Sequence, residues 1–495
     1  MRELALRVIA ASFALLVAAP ALSQKGTGQI VNDVHSRLNE TRVARIVTPT
    51  SVEEVQKIIQ QAGREGRAIS IAGGRHAMGR QQFGTDTILL DTSRLDRVLA
   101  FDQEAGFLTV QAGIRWPALL DYLERSQKGK WPQWGIRQKQ TGADRLSIGG
   151  ALAANAHGRG LRFKPMIGDV ESFTLANAQG MVLTCSRTHN AELFRRAIGG
   201  YGLFGVIIDV KLRLMHRTKV QRDVQIIDLA DLVPLVEKRI ADGYLYGDLQ
   251  FDIDPQSERF LTRGVFSTYK PVDHTTPMPT KQKQLNMSDW SKLFYLAHTD
   301  KKRAFDEYTK YYLSTNGQIY WSDNHQLSEY LDNYHVGLDN VLPPEGRGTE
   351  MITEVYVPRE RLLRFMQDVS KDLRTRKADV IYGTIRFIEA DDESYLPWAR
   401  SRFASIIFNL HTAHTASALD KTAEDFRGLI ERALQHGGSY YLTYHHWATR
   451  NQVERAYPQF TGFLKEKRKF DAEERFQSDW YRFYKRMFAD VLPRG

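Results

Sequence analysis

Three glycine-rich stretches carry the residue types that hold a phosphorylated ligand. The first, Gly73-Gly74-Arg75-His76-Ala77-Met78-Gly79, directly follows a short apolar run. Successive backbone N–H groups in such a loop make a concave anion site. The second runs Ser147-Ile148-Gly149-Gly150-Ala151, then through alanines to Asn155 and His157-Gly158-Arg159-Gly160. It reads as a loop feeding a helix N-terminus, where free N–H groups and the helix dipole favour phosphate oxygens. The third is Gly199-Gly200-Tyr201-Gly202-Leu203-Phe204-Gly205, followed by Val206 and Ile207. No Gly-x-Gly-x-x-Gly follows the first strand, and no Gly-Lys-Ser/Thr loop occurs. Each stretch alone is compatible with ordinary turns. Together they favour one large phosphorylated cofactor lying along a single domain.

The elements that must position these loops are legible around them. A strand at 44–47 leads through Pro49 to a helix in which Val52, Val55, Ile58, Ile59 and Ala62 recur at helical spacing. Either Thr50 with Glu53 or Ser51 with Glu54 supplies its capping box, and Gly66 ends it. Strands at 68–72 and 87–91 flank the first loop. An alternating strand, 206–214, follows the third. Residues 181–184 read as a hairpin strand, with Cys185 after it as a small buried residue. Of the 36 glycines, 21 lie between residues 60 and 215, whereas residues 244–335 hold 17 of the 53 aromatic residues. The first region is therefore a cofactor domain, and the second packs a core or walls a flat ligand.

The 495 residues are 42% hydrophobic and 25% charged, which excludes a disordered or polytopic membrane chain and requires more than one domain. The single cysteine excludes an intramolecular disulfide and any metal site needing several thiolates. No metal site is assigned, since no second ligand lies at metal spacing from His157. The net charge of +10 names no partner. Basic residues are dispersed among acids without aromatic alternation, so nucleic acid is not expected. The basic run of Lys465, Lys467, Arg468 and Lys469 reads as a solvated helix face, with membrane-surface contact as the sharper alternative. Arg2 and Arg7, a 12-residue apolar run from Val8 to Ala19, and small residues at Ala21 and Ser23 have the layout of a secretory signal. The expected location is periplasmic or secreted, with cleavage near Ser23 or after Ala21; an uncleaved anchor is the alternative.

These motifs, with Asp169–Ala176 and Glu192-Leu193-Phe194 in the same order, resemble the FAD-binding domain of the vanillyl-alcohol oxidase and p-cresol methylhydroxylase flavoproteins. The C-terminal His446-Trp447, Tyr457-Pro458 and Lys469–Phe476 are similar to the sugar-lactone, alditol and cytokinin oxidising branches. The resemblance implies an α+β protein: a signal at 1–23, a linker at 24–42, a two-subdomain FAD-binding domain at 43–217, an α+β substrate-binding cap at 218–435, and a segment at 436–495 returning to the FAD domain. It implies that FAD is joined covalently to His76, whose neutral imidazole is a competent nucleophile. Gly73, Gly74, Arg75 and Ala77 surround that position. Ser147, Gly149, Gly150, Ala151 and Asn155 would lie along the pyrophosphate and flavin. Val206 and Ile207 would hold the adenine end, and His157 would sit near the isoalloxazine.

On the substrate side the related branches carry Glu-x-Arg and His-Trp-x-Lys. Here the matching segments are Thr384-Ile385-Arg386 and His446-Trp447-Ala448-Thr449, so the acid and the lysine are both replaced. Oxidising a CH–OH group requires hydride transfer to flavin N5 and a base for the proton. Arg386, His446 and Glu389 are the expected catalytic residues, with His445 and Tyr444 as further candidate bases. The implied activity is an exported FAD oxidoreductase acting on a polyol, sugar lactone or other alcohol, with oxygen, a quinone or a cytochrome as acceptor. An amine-oxidising member and a non-catalytic flavin-binding protein are the alternatives.

Overall fold

A computed structural model of the chain describes residues 28–328, 334–342 and 347–492. The signal-like segment 1–23 lies outside the described residues. The fold is α+β and is built on three principal sheets. Three parallel strands, β1 (Arg45–Val47), β2 (Ile69–Ala72) and β3 (Ile88–Asp91), pair in the order β1-β3-β2. They are short and apolar because both faces are covered. Helix α1 (Val52–Arg64) connects the first two and buries Val55, Ile59 and Ala62. Ser51 caps it by accepting from Glu54 N, while the Glu54 carboxylate accepts from the backbone and hydroxyl of Thr50. The last segment of the chain closes this sheet, with Phe476 bridging to Ile69. Arg475 donates to the carbonyls of Ala62 and Arg67 at the end of α1.

The second sheet is antiparallel, formed by β4 (Val98–Asp102), β5 (Phe107–Gln111), β6 (Val170–Ala176), β7 (Val182–Ser186) and β8 (Val206–Arg213), in the order β7-β6-β8-β5-β4. Helix α2 (Ile148–Ala153) lies between β5 and β6 in sequence. Cys185 is buried in β7, and burial pushes its thiol up to about 12, so it is an inert core residue.

The third sheet has eight strands: β9 (Lys219–Asp228), β10 (Tyr246–Phe251), β11 (Arg263–Val272), β12 (Ile319–Trp321), β13 (Gly348–Pro358), β14 (Val380–Ile388), β15 (Phe403–Ala413) and β16 (Ser439–Tyr440). Their order is β12-β9-β11-β10-β14-β15-β13-β16. Side chains alternate along each strand, so register decides which residues share a face. Helices α3 (Met287–Thr299), α4 (Lys301–Ser314) and α5 (Tyr334–Asp339) belong to the same part of the chain. The capping box of α3 pairs Asn286 with Asp289. Helices α6 (Leu362–Arg376) and α7 (Ala416–Gln435) pack on the sheet without entering the cavity described below.

After β16 come α8 (Arg450–Ala456), α9 (Phe460–Phe470) and α10 (Asp479–Met487). The basic run on α9 is only partly a solvated face. Lys467 is fully buried and paired with Asp471, because the helix turns that position inward. Among the described residues no helix is long and apolar enough to cross a membrane.

Candidate active site

A cavity of about 990 Å³ runs between the glycine-rich loops and the polar face of the eight-stranded sheet. At the loop end, β2 delivers the chain into Gly73. A Cβ there would overlap Ser147 Oγ, and one at Gly74 would sit 2.6 Å from the Arg145 carbonyl, so two loops meet where only glycine fits. Arg75 adopts φ +60° and pairs with Asp91 at 2.8 Å. Among the described residues, no backbone N–H from Gly73 to Met78 donates to a protein acceptor. That row of free donors has the form of an anion cradle.

His76 follows in the same loop. Its Nδ1 lies 2.8 Å from His35 Nε2, a partner supplied by the segment read as a linker. Burial, followed by the neighbouring His35 and Arg115, depresses the His76 imidazole to about 2. The ring is therefore neutral at every physiological pH.

The second loop behaves differently from expectation. Ser147 caps α2 through Gly150 N, but Ile148 N and Gly149 N donate to the carbonyls of Ile114 and Ala112. The first N–H groups of α2 are thus consumed by the protein, and the loop contributes surface and close approach instead of free donors. Ser147, Gly149, Gly150, His157 and Ile207 line the cavity with Gly73, Gly74, Arg75, His76 and Ala77. Ala151, Asn155 and Val206 do not. Ala151 faces the core from the inner side of α2. Asn155, at φ +49°, is a clamp that donates to Asp391 and accepts from Ile167 N. Val206 points into a separate apolar cluster with Val55 and Ile88, because alternation along β8 turns its neighbour Ile207 to the cavity.

The opposite wall is assembled by strand register. Gln250, Thr384, Ile407 and Glu354 form one row across β10, β14, β15 and β13. Arg386, Ser405 and Tyr356 form the adjacent row, with Asp248 beyond Arg386 on β10. Glu354, two strands away, places a carboxylate on the same row as Thr384. His157 Nε2 lies 2.5 Å from Glu354 Oε1, Ser405 Oγ donates to the same oxygen at 2.7 Å, and Tyr444 OH reaches Oε2 at 3.4 Å. Burial pushes the Glu354 carboxyl up, but the adjacent His157, both hydrogen bonds and the Arg386 charge outweigh it and hold the group below the usual carboxylate range. His157 itself is packed among Trp398, Tyr356 and Tyr441.

Four buried polar atoms on this wall have no partner in the protein: Gln250 Oε1, Thr384 Oγ1, Asp248 Oδ1 and Arg386 Nε. Such atoms cost about 1–3 kcal/mol each when left unmade, so they favour a ligand that completes them. Aromatic side chains of α3 and α4, including Trp290, Phe294, Tyr308 and Tyr312, close the remaining side.

Two expected catalytic residues lie elsewhere. Glu389 falls just past the end of β14 and pairs with Arg359 at 2.9 Å and Arg402 at 3.0 Å, outside the cavity. His446 packs against Phe483 with the rings tilted, centroids 4.4 Å apart, and His445 stacks on Trp447 at 4.5 Å. Burial first, then nearby positive charge, depresses these rings to about 4 and about 3. Neither lines the cavity, whereas Tyr444 and Arg386 do. Thr449, at the position of the absent lysine, is the N-cap of α8 and pairs with Gln452.

Glu354, Asp248, Gln250 and His35 are site residues without a local sequence motif. For Glu354, Asp248 and Gln250 the signal was alternation of polar residues within strands, which also marks an ordinary half-buried sheet; His35 lies outside any strand and carried none.

Residues 43–186 match the family described as an FAD binding domain. The protein is an FAD-dependent oxidoreductase. Over 438 residues it is 26% identical to an L-gulono-1,4-lactone dehydrogenase of Mycobacterium tuberculosis, covering 88% of this chain and 95% of that protein. It is 24% identical over 436 residues to the L-gulonolactone oxidase of Bos taurus, covering 86% and 91%. A D-arabinono-1,4-lactone oxidase of Yarrowia lipolytica is 27% identical over 190 residues, covering 37% and 34%. The oxidoreductase fits its cofactor physically: free N–H donors at residues 73–78, glycines whose Cβ would fill the cradle, and one long cavity joining that cradle to the polar sheet face.

Proposed function

We propose that this oxidoreductase oxidises a CH–OH group of a sugar lactone or closely related polyhydroxylated molecule, with FAD attached to His76. The observation carrying this reading is the set of four buried, unsatisfied polar atoms on adjacent rows of one sheet face. A polyhydroxylated ligand has the donors and acceptors to complete them; an aromatic alcohol does not. The names of the relatives point to the same substrate class.

When bound, FAD supplies the acceptor for the hydride that leaves the substrate carbon. The substrate hydroxyl must lose its proton as well, and the Glu354–His157 pair is the group that takes it. Arg386 holds substrate oxygen through its unpaired Nε–H, and Thr384 with Gln250 fixes the neighbouring hydroxyls. The aromatic wall of α3 and α4 excludes water from that face.

Anaerobic mixing with L-gulono-1,4-lactone or D-arabinono-1,4-lactone is expected to bleach the flavin absorbance, while benzylic alcohols and amines leave it unchanged. Bleaching by an amine alone would overturn the substrate assignment. The rate of reoxidation in air, with and without a soluble quinone, then identifies the electron acceptor.

We further propose that the protein is exported, on the layout of its first 23 residues. N-terminal sequencing of protein from the periplasm or medium is expected to begin at Gln24 or Leu22. A chain beginning at Met1 in the cytosol would exclude export.

A further inference from the structure

At one wall of the cavity, away from Glu354, a cluster of described side chains has the donor set of a metal centre. We propose that His298, Glu350 and His411, with His335 beside them, bind one divalent transition-metal ion, zinc(II) being the best match.

The ligand atoms of His298, Glu350 and His411 all lie within 4.8 Å of one another. His298 Nε2 is 2.9 Å and His411 Nδ1 3.2 Å from the same oxygen, Glu350 Oε1. His335 Nε2 lies 2.5 Å from the other oxygen, Oε2. Around a tetrahedral zinc with bonds near 2.0 Å, neighbouring ligand atoms are roughly 3.3 Å apart. Small outward movements therefore suffice to admit the ion. Two imidazoles and one carboxylate are a donor set that suits zinc without a thiolate, and His335, whose Nε2 accepts from Glu350 N at 3.3 Å, stands beside them as a further imidazole.

The placement is specific. Glu350 on β13 and His411 on β15 are directly paired in register, so the sheet fixes two ligands relative to each other. Gly348, two residues earlier on β13, leaves room for the His411 ring; a Cβ there would approach its Cε1 to 2.5 Å. His298 comes from α3, and its Nδ1 lies 2.8 Å from the Phe294 carbonyl. A neutral ring donating that bond carries a lone pair on Nε2, aimed at a carboxylate oxygen. A bound cation would share that lone pair with the carboxylate oxygen 2.9 Å away. Anchoring of the distal ring nitrogen to a backbone carbonyl is also how metal-bound histidines are oriented.

The four residues come from α3, α5, β13 and β15. An ion there ties two cap helices to the sheet, at the wall where Glu350 and His335 border the cavity. Along β13 the site stands four residues from Glu354, roughly 13 Å at strand rise. It is thus separate from the proton-accepting pair.

The test uses tag-free, flavin-loaded, full-length protein stripped with EDTA and then freed of chelator. Calorimetric titration with zinc(II) is expected to show one equivalent bound. Cobalt(II) is expected to give the intense ligand-field bands of a tetrahedral site, at longer wavelength than the oxidised flavin. H298A and H411A should each weaken zinc binding by about a hundredfold or more and abolish the cobalt bands. E350Q, which keeps the side-chain shape and removes the charge, should do the same, and it serves if either histidine variant fails to fold. Absence of zinc binding by the wild type, or equal binding by E350Q and the wild type, would overturn the proposal and leave a hydrogen-bonded cluster in which a proton bridges the pair.

Discussion

Replacement of Glu354 by glutamine is expected to lower kcat by about 10²- to 10⁴-fold, the usual contribution of a positioned proton acceptor, with bound flavin retained. Glutamine fills the same space and still accepts from Ser405, so the packing around His157 and Trp398 persists. What it removes is the charge that orients His157 and receives the proton. KM should change far less than kcat, because substrate contacts through Thr384, Gln250 and Arg386 remain. The pH profile supplies an independent readout. Burial raises the Glu354 carboxyl, but His157, Ser405 and Arg386 hold it below the ordinary carboxylate range. The reactive ionised form is therefore present at neutral pH and lost only as pH falls through that depressed value. The wild-type kcat/KM should keep its plateau to acidic pH, and E354Q should lack the limb altogether. E389Q offers the contrast: Glu389 pairs with Arg359 and Arg402 away from the cavity, so turnover should persist. Wild-type turnover in E354Q, or a collapse in E389Q, would return the assignment to the residue that sequence spacing favoured.

How far the site could be read in advance depended on how locally each part is encoded. The first glycine loop is continuous in sequence and follows a buried strand, so its place on the cavity, and that of His76, could be read locally. The same holds for α1, where cap and apolar spacing lie within 14 residues. The second loop was half legible: the helix at Ile148 exists, but its first N–H groups are spent on Ile114 and Ala112, partners over 30 residues earlier. The substrate wall was the least legible part. Gln250, Thr384 and Glu354 share a row only because three antiparallel pairings place them so, and a one-residue slip would turn any of them away. Glu389 misled for the same reason, since β14 ends at Ile388 and the next side chain leaves the face. His446 misled because its segment turns after Tyr444 and packs both histidines against aromatic rings. The proposed metal cluster draws on positions 298, 335, 350 and 411, spacings that no short motif records.

Acid-precipitated wild-type protein is expected to keep a yellow, fluorescent flavin, and His76→Ala to release it to the supernatant completely. His76 meets the physical requirements for attachment. It follows the Gly73-Gly74-Arg75 turn, lines the cavity, and is held neutral by burial and by His35. A neutral ring keeps a lone pair at any pH above about 2, so attachment needs no prior deprotonation. His35 fixes the ring through Nδ1, so His35→Ala should leave a mixture of attached and free flavin instead of abolishing attachment. A colourless wild-type pellet would refute the linkage outright. The consequence for stability is large because the chain has one cysteine and no disulfide to restrain it. A covalently held flavin cannot dissociate, so wild-type Tm should not depend on added FAD. In His76→Ala the cofactor becomes an ordinary ligand, and its stabilisation follows free concentration, reaching about 2.7 kcal/mol at a hundred times Kd. Thermal denaturation of that variant should therefore shift upward with each addition of FAD, and gel filtration into cofactor-free buffer should return it to the lower value.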